Sequence, residues 1–221
     1  MALRHRASIG WRCARIAVAV AAGMCLFSAT TAMAGDWLVL VVDRSNSIDA
    51  DELALQRQAY VDVLNDDRVI SALGETLVAI VEFDNTAQVV VPWTTAPQAA
   101  WQYANQSAGG SRGGTGIGRG LRAAMDLLAD KSGRRVIDVS GDGRENRDSV
   151  LLDRMRATAT TDGVTINGLT LIGRTHYNLR QYYRERVANG FVMQIDDIAD
   201  FHAALRRKIL REMMVSQRQV D

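Results

Sequence analysis

The sequence predicts an α/β fold: a doubly wound, mostly parallel six-stranded sheet with one antiparallel edge strand and helices on both faces. Three observations carry that expectation. An uninterrupted apolar run, Trp37 to Val42, has the length and β-branched content of a strand buried on both faces. Strand-like and helix-like segments then alternate to the end of the chain. Two aspartates, Asp43 and Asp142, fall at the carboxyl ends of expected strands, where open α/β sheets bind ligands.

After the first strand, Asp49 with Glu52 three residues on makes a capping box, and Leu53, Gln56, Tyr60, Val63 and Leu64 continue at near-helical spacing. Thr76 to Phe83 and Gln88 to Trp93 are strands separated by Asp84-Asn85-Thr86-Ala87, a connection short enough for an antiparallel hairpin. A helix from Ala96 to about Ser107 precedes the glycine-rich stretch Gly109 to Gly118. Ile117, Leu121, Ala124, Met125 and Leu128 then repeat as one apolar helical face, so Thr115 lies in a loop just ahead of a helix. Arg135 to Ser140 is the next strand and ends in the turn Gly141-Asp142-Gly143; Asp148 caps a helix running to about Thr161. Val164 to Leu171, a short helix around Leu179 to Ala188, Phe191 to Ile195 and a helix from Asp197 to about Val215 complete the alternation. The sequence contains no internal repeat, low-complexity tract or linker, which assigns residues 35–221 to one domain.

Residues 1–34 read as a secretory signal peptide. Arg4, Arg6, Arg12 and Arg15 form a basic start without acidic residues, the apolar run Ile16 to Phe27 follows, and Ala32-Met33-Ala34 offers a cleavage site after Ala34. As a helix that run is about 18 Å long against a hydrocarbon core of about 30 Å, too short for a good membrane span. An uncleaved anchor, or a lipid on Cys25, is the alternative. The expected location is the periplasm or the extracellular space. Both cysteines, Cys13 and Cys25, lie in this segment, so the mature chain can form neither a disulfide nor a zinc-thiolate site. Four of the 26 basic residues leave with the signal while all 25 acidic ones remain, and no basic stripe suggests nucleic acid.

The loop after the first strand presents Asp43, Ser45 and Ser47 in alternation, directing three oxygen-bearing side chains the same way in an extended stretch. With Thr115 and Asp142 from two other loops they make five oxygen donors without nitrogen or sulfur, a hard set that selects magnesium, calcium or manganese. Two carboxylates balance one divalent charge. Having few charged ligands, such an ion keeps enough electrophilicity to accept a carboxylate oxygen from a partner.

Asp43-Arg44-Ser45-Asn46-Ser47, Gly113-Gly114-Thr115-Gly116-Ile117-Gly118 and Ser140-Gly141-Asp142-Gly143 resemble, in order, the three loops of the metal-ion-dependent adhesion site in von Willebrand factor type A domains. Val81-Glu82-Phe83-Asp84-Asn85-Thr86-Ala87 is similar to that family's second strand and hairpin. Val91-Pro92-Trp93-Thr94, Val136 to Gly143 and Ile166-Asn167-Gly168-Leu169 resemble an uncharacterised branch of secreted bacterial members. The resemblance implies a Rossmann-like fold in which Asp43, Ser45 and Ser47 hold a divalent cation, Mg²⁺ before Mn²⁺ or Ca²⁺. Thr115 and Asp142 complete the set, one or both through water. The implied partner is a protein presenting Asp or Glu. Bulky Arg44 and Asn46 fill the variable slots, and Gly141 stands where many relatives have threonine; both bear on the shape of the partner surface.

Other chemistries fit less well. The glycine-rich loop has no Lys-Ser or Lys-Thr for a P-loop, and Ser140 lacks a nucleophile elbow. An aspartyl phosphatase resembles its relatives in a second aspartate where this chain has Ser45. Asp138 inside a buried strand implies a helix-start contact or an arginine partner. Trp93 and Trp101 read as core or rim packing; Tyr177, Tyr182 and Tyr183 as a sticky surface or a buried edge. Arg206, Arg207, Lys208 and Arg211 read as a solvated helix face. The reading that follows is an exported, non-enzymatic protein-binding module. The alternatives are a metal-dependent hydrolase, with Asp142 or Asp43 orienting a metal-bound water, and a structural domain whose ion ties loops. His176 and His202, the mature chain's histidines, read as a loop residue and a helix flank, so the hydrolase has no placed base.

Overall fold

A computed structural model of the protein describes residues 35–106, 113–171 and 178–217. Residues 1–34, expected to be a signal peptide and holding both cysteines, residues 109–112 of the glycine-rich stretch, His176 and Tyr177 lie outside the described residues.

The chain runs β1 (Gly35–Asp43), α1 (Ala50–Leu64), α2 (Asp67–Leu73), β2 (Leu77–Phe83), β3 (Ala87–Thr94), α3 (Ala96–Ala104), α4 (Ile117–Leu128), β4 (Gly133–Gly141), α5 (Ser149–Thr161), β5 (Thr165–Leu171), α6 (Leu179–Tyr182), a π-helical turn (Tyr183–Val187), β6 (Val192–Ile195), a 3₁₀ turn (Ile198–Asp200) and α7 (Phe201–Gln217). The strands order β3-β2-β1-β4-β5-β6 in one sheet. β3 pairs antiparallel with β2 at the edge, and the other pairings are parallel. The strand order reverses between β1 and β4, which opens a crevice beyond their carboxyl ends.

Alternation along the strands sorts the core into two layers. Leu38, Leu40, Val42, Val78, Ile80 and Val136 pack with α1, α2, α3 and α7. Val39, Val41, Val81, Phe83, Ile137 and Val139 pack with α4, α5, α6 and the π turn. Both faces of the central strands are covered, which explains why β1 reads as a continuous apolar run rather than an alternating one.

The expected capping box at the start of α1 is present: Asp49 accepts the Glu52 N–H at 2.8 Å and Glu52 accepts the Asp49 N–H at 3.1 Å. α2 is an element the periodicity does not announce, because seven residues give too few turns for a repeat to register. Asp66 caps it, accepting from Arg68 and Val69, and Gly74 at φ 55° ends it in a backbone region glycine tolerates. α3 stops at Ala104, earlier than expected.

Two side-chain expectations need correction. Lys208 is not on the solvated face of the last helix; it is fully buried. Even-numbered β4 residues face α1 and α7, so Asp138 meets Lys208, which ion-pairs with the Asp138 carboxylate and lies 3.0 Å from Glu212 Oε1. Asp138 thus takes neither an arginine nor a helix start. Arg207 and Arg211 are exposed as expected, and Arg206 pairs with Asp66 at 2.8 Å. Trp101 is 63% exposed and belongs to the rim, whereas Trp93 packs edge-on to Trp37.

Candidate metal centre

The first loop leaves β1 at Asp43, whose Oδ1 accepts the Ser45 N–H at 2.8 Å. That short side-chain-to-backbone bond turns the chain immediately after the strand. The Arg44 N–H donates to Phe83 O and the Asn46 N–H to Gly113 O, each at 2.9 Å, tying the first loop to β2 and to the second loop. The second and third loops are clamped by Asn146 and Glu145: Asn146 Oδ1 accepts the Thr115 N–H at 3.0 Å, and its own N–H donates to Thr115 O at 3.0 Å. Glu145 accepts from Gly118 N at the start of α4 (2.7 Å) and from Arg147 N and Asp148 N (2.7 and 2.9 Å).

This framework brings the five sequence-selected residues together. Thr115 Oγ1 donates to Ser45 Oγ at 3.2 Å, Ser45 Oγ and Ser47 Oγ are 2.9 Å apart, and Ser47 Oγ donates to Asp142 Oδ1 at 2.7 Å. Asp43, Ser45, Thr115 and Asp142 are buried, and Ser47 is exposed at the mouth. Gly143 permits the approach, since a Cβ there would lie 2.9 Å from Thr115 Oγ1. Gly141 is equally constrained: a Cβ would lie 2.7 Å from both Asp43 Oδ2 and the Tyr183 hydroxyl, which leaves no room for a threonine.

The electrostatics suit a cation. Burial, followed by the charge of Asp142, pushes the Asp43 carboxyl up to about 7, against the lowering effect of hydrogen bonds from Ser45. Asp43 Oδ2 is buried without a hydrogen-bond partner. An orphaned carboxylate oxygen beside a second carboxylate is costly unless a positive charge sits there. Among the described residues no three His, Cys, Asp or Glu side chains cluster to hold a metal; here the carboxylates number two and hydroxyls supply the other oxygens.

The raised Asp43 carboxyl sets a pH dependence. Folded Asp43 titrates near about 7 against 3.8 for the free group, so between those values the folded chain binds more protons than the unfolded one. Stability in EDTA should therefore fall as pH rises through that window. Buried Glu212 is also pushed up and adds slope of the same sign. Urea midpoints across the window should show a shallower fall for Asp43→Asn than for wild type, and saturating Mg²⁺ should remove the Asp43 share alone.

Arg44 does not shape the mouth. It folds back, buried, toward Glu82 at 3.4 Å and Asp84 at 3.6 Å. The open face is a cleft of about 450 Å³ lined by Asn46, Ser47, Asn85, Gly114, Asn146 and Arg147, among others. Sequence reasoning missed Glu145 and Asn146, whose polar run Arg144 to Asp148 has no period to mark it, and Tyr183, which nothing local marks.

Solved structures share this architecture. A von Willebrand factor type A protein from Catenulispora acidiphila superposes with a TM-score of 0.66 at 18% identity, covering 81% of this chain and 43% of that one. The pilus adhesin SpaC of Lactobacillus rhamnosus GG gives 0.65 at 18% identity over 81% and 30%. Proximal thread matrix protein 1 from the mussel byssus, with a zinc-occupied metal-ion-dependent adhesion site, gives 0.64 at 16% over 81% and 46%. The chain thus spans less than half the length of these relatives. The fold is that of a von Willebrand factor type A domain. The chain belongs to the family described as protein of unknown function DUF1194, whose profile matches residues 35–217. No curated protein matches it in sequence. Among the described residues no helix is long and apolar enough to cross a membrane.

Proposed function

We propose that this chain is an exported, metal-dependent protein-binding module. Asp43, Ser45, Ser47, Thr115 and Asp142 hold one divalent cation, Mg²⁺ by preference with Mn²⁺ and Ca²⁺ acceptable, and a partner protein contributes an Asp or Glu carboxylate. The observation that carries this reading is the continuous contact from Thr115 through Ser45 and Ser47 to Asp142, beside the orphaned Asp43 Oδ2. Bound there, the cation supplies a Lewis-acidic position for an oxygen anion. Asp43 and Asp142 balance its charge; the serine and threonine hydroxyls orient without adding charge. Asn146 and Glu145 keep the second and third loops at the distance the set requires.

A binding role suits the same geometry, because the mouth of the cluster is an open cleft. Solved neighbours include an adhesin and a matrix protein, which supports an interaction role. Residues 1–34 serve as the export signal, removed after Ala34, and deliver the domain to the periplasm or beyond.

The test is capture of partners from an envelope extract with and without EDTA, using wild type and Asp142→Ala. Partners retained in Mg²⁺ by wild type, and lost both with EDTA and in the variant, are the expected result. An identical partner set in all conditions would reduce any ion to tying loops.

A further inference from the structure

The described residues contain one more buried polar group aimed at this cluster. Tyr183 is fully buried, and its hydroxyl has no hydrogen-bond partner. The position a Cβ would take on Gly141 lies 2.7 Å from that hydroxyl and 2.7 Å from Asp43 Oδ2, the other orphaned atom of the site. A phenol is a donor and a carboxylate oxygen an acceptor, so the two unsatisfied atoms are complementary and share the space that glycine leaves open. Each alone carries a desolvation penalty that the other can relieve.

The backbone is irregular where it presents this ring. Tyr183 opens the π turn, closed by the Ala188 N–H donating to Tyr183 O at 2.7 Å. Single π turns are rare and cluster at functional sites. The ring is fixed from below as well, since a Cβ on Gly168 of β5 would lie 3.0 Å from Tyr183 Cδ1. Tyr183 therefore reaches the centre from a fourth segment, beyond β5, that contributes none of the five oxygens. A phenol keeps its proton at neutral pH, so the hydroxyl is able to donate.

We propose that Tyr183 is a positioning residue of the centre: its hydroxyl donates to Asp43 Oδ2 through one bridging water and holds the carboxylate in the orientation that receives the cation. The proposal rests on the reading of the cluster as a cation site. It also gives Gly141 a reason, because any side chain there would separate the pair.

Calorimetric titration of the exported chain with Mn²⁺, for wild type and Tyr183→Phe, tests it together with the tyrosine ultraviolet difference band on adding Mg²⁺. Loss of such an outer partner costs about 10–100-fold in affinity. The expected result is that loss in Tyr183→Phe, with the urea midpoint in EDTA retained, and a difference band present in wild type but absent from the variant. Equal Mn²⁺ affinities overturn the proposal. So does a wild type that binds Mn²⁺ while Mg²⁺ perturbs no tyrosine, a result that needs no variant to fold. A wild type that gives no Mn²⁺ heat removes the cation reading itself, and this inference with it.

Discussion

Replacing Lys208 with methionine should lower the stability of the folded domain by about 3–5 kcal/mol, the usual cost of removing one partner from a buried ion pair. The ammonium is wholly enclosed between the Asp138 carboxylate, on the second central strand, and Glu212 one turn along its own helix. Asn167 on β5 donates to the same Glu212 oxygen at 2.9 Å. Removal of the cation leaves two buried acids, and Asp138 Oδ2 and Glu212 Oε2 already lack hydrogen-bond partners. The variant can recover only by taking up protons, so its deficit should shrink at acid pH and widen above neutrality. Urea unfolding in EDTA measures this without interference from the proposed cation site. Removing all the charges together, as Asp138→Val, Lys208→Met and Glu212→Leu, should recover most of the loss. A deficit under about 1 kcal/mol in the single variant would mean that the cluster is solvated and that the buried contact is not the one described.

The second large effect separates binding from folding. Asp43→Asn should weaken Mg²⁺ binding by at least about 100-fold, because it removes one of two charges and the orphaned oxygen together. In EDTA at pH 8, above the raised Asp43 titration at about 7, the same variant should be more stable than wild type. The gain is on the order of 1–2 kcal/mol, since an amide carries no buried charge to repel Asp142. Opposite signs on affinity and stability identify a residue retained for its ligand rather than for the fold. A variant that loses stability in EDTA would make the Asp43 carboxylate a structural group held by the Ser45 N–H.

The two faces of the prediction trace to how different kinds of information sit in a sequence. β1 is legible because a strand covered on both sides needs an unbroken apolar run, and this one ends at Asp43, an acidic residue that packing alone does not demand. β4, interrupted by Asp138 and Ser140, is legible from Val136, Ile137 and Val139 and from the turn Gly141-Asp142-Gly143 at its end. The capping of α1 by Asp49 and of α5 by Asp148 is legible because caps are local. The convergence of Ser47 on Asp142, 95 positions apart, follows once both lie at carboxyl ends beside the point where strand order reverses. The family resemblance supplied the grouping with Thr115 that spacing alone leaves open.

What stayed hidden depends on distant partners. Lys208 reads as one more cation in Arg206-Arg207-Lys208, and only the position of Asp138 across the sheet turns it inward. Arg44 reads as a bulky rim residue until Glu82 and Asp84 draw it down. Tyr183 has no signature of its own, since a π turn and the missing Cβ of Gly141 together place its hydroxyl. In each case the deciding contact is long-range, and local periodicity carries no trace of it.

Crystals of residues 35–221 grown with Mn²⁺ and measured at the manganese absorption edge test the central claim most directly. A single anomalous peak within coordination reach, about 2.0–2.6 Å, of the Ser45 and Ser47 hydroxyls, with Asp43, Thr115 and Asp142 in its first or second sphere, is the result expected. No peak at that crevice, or a peak held by other side chains while Asp43 Oδ2 stays bare, would contradict it.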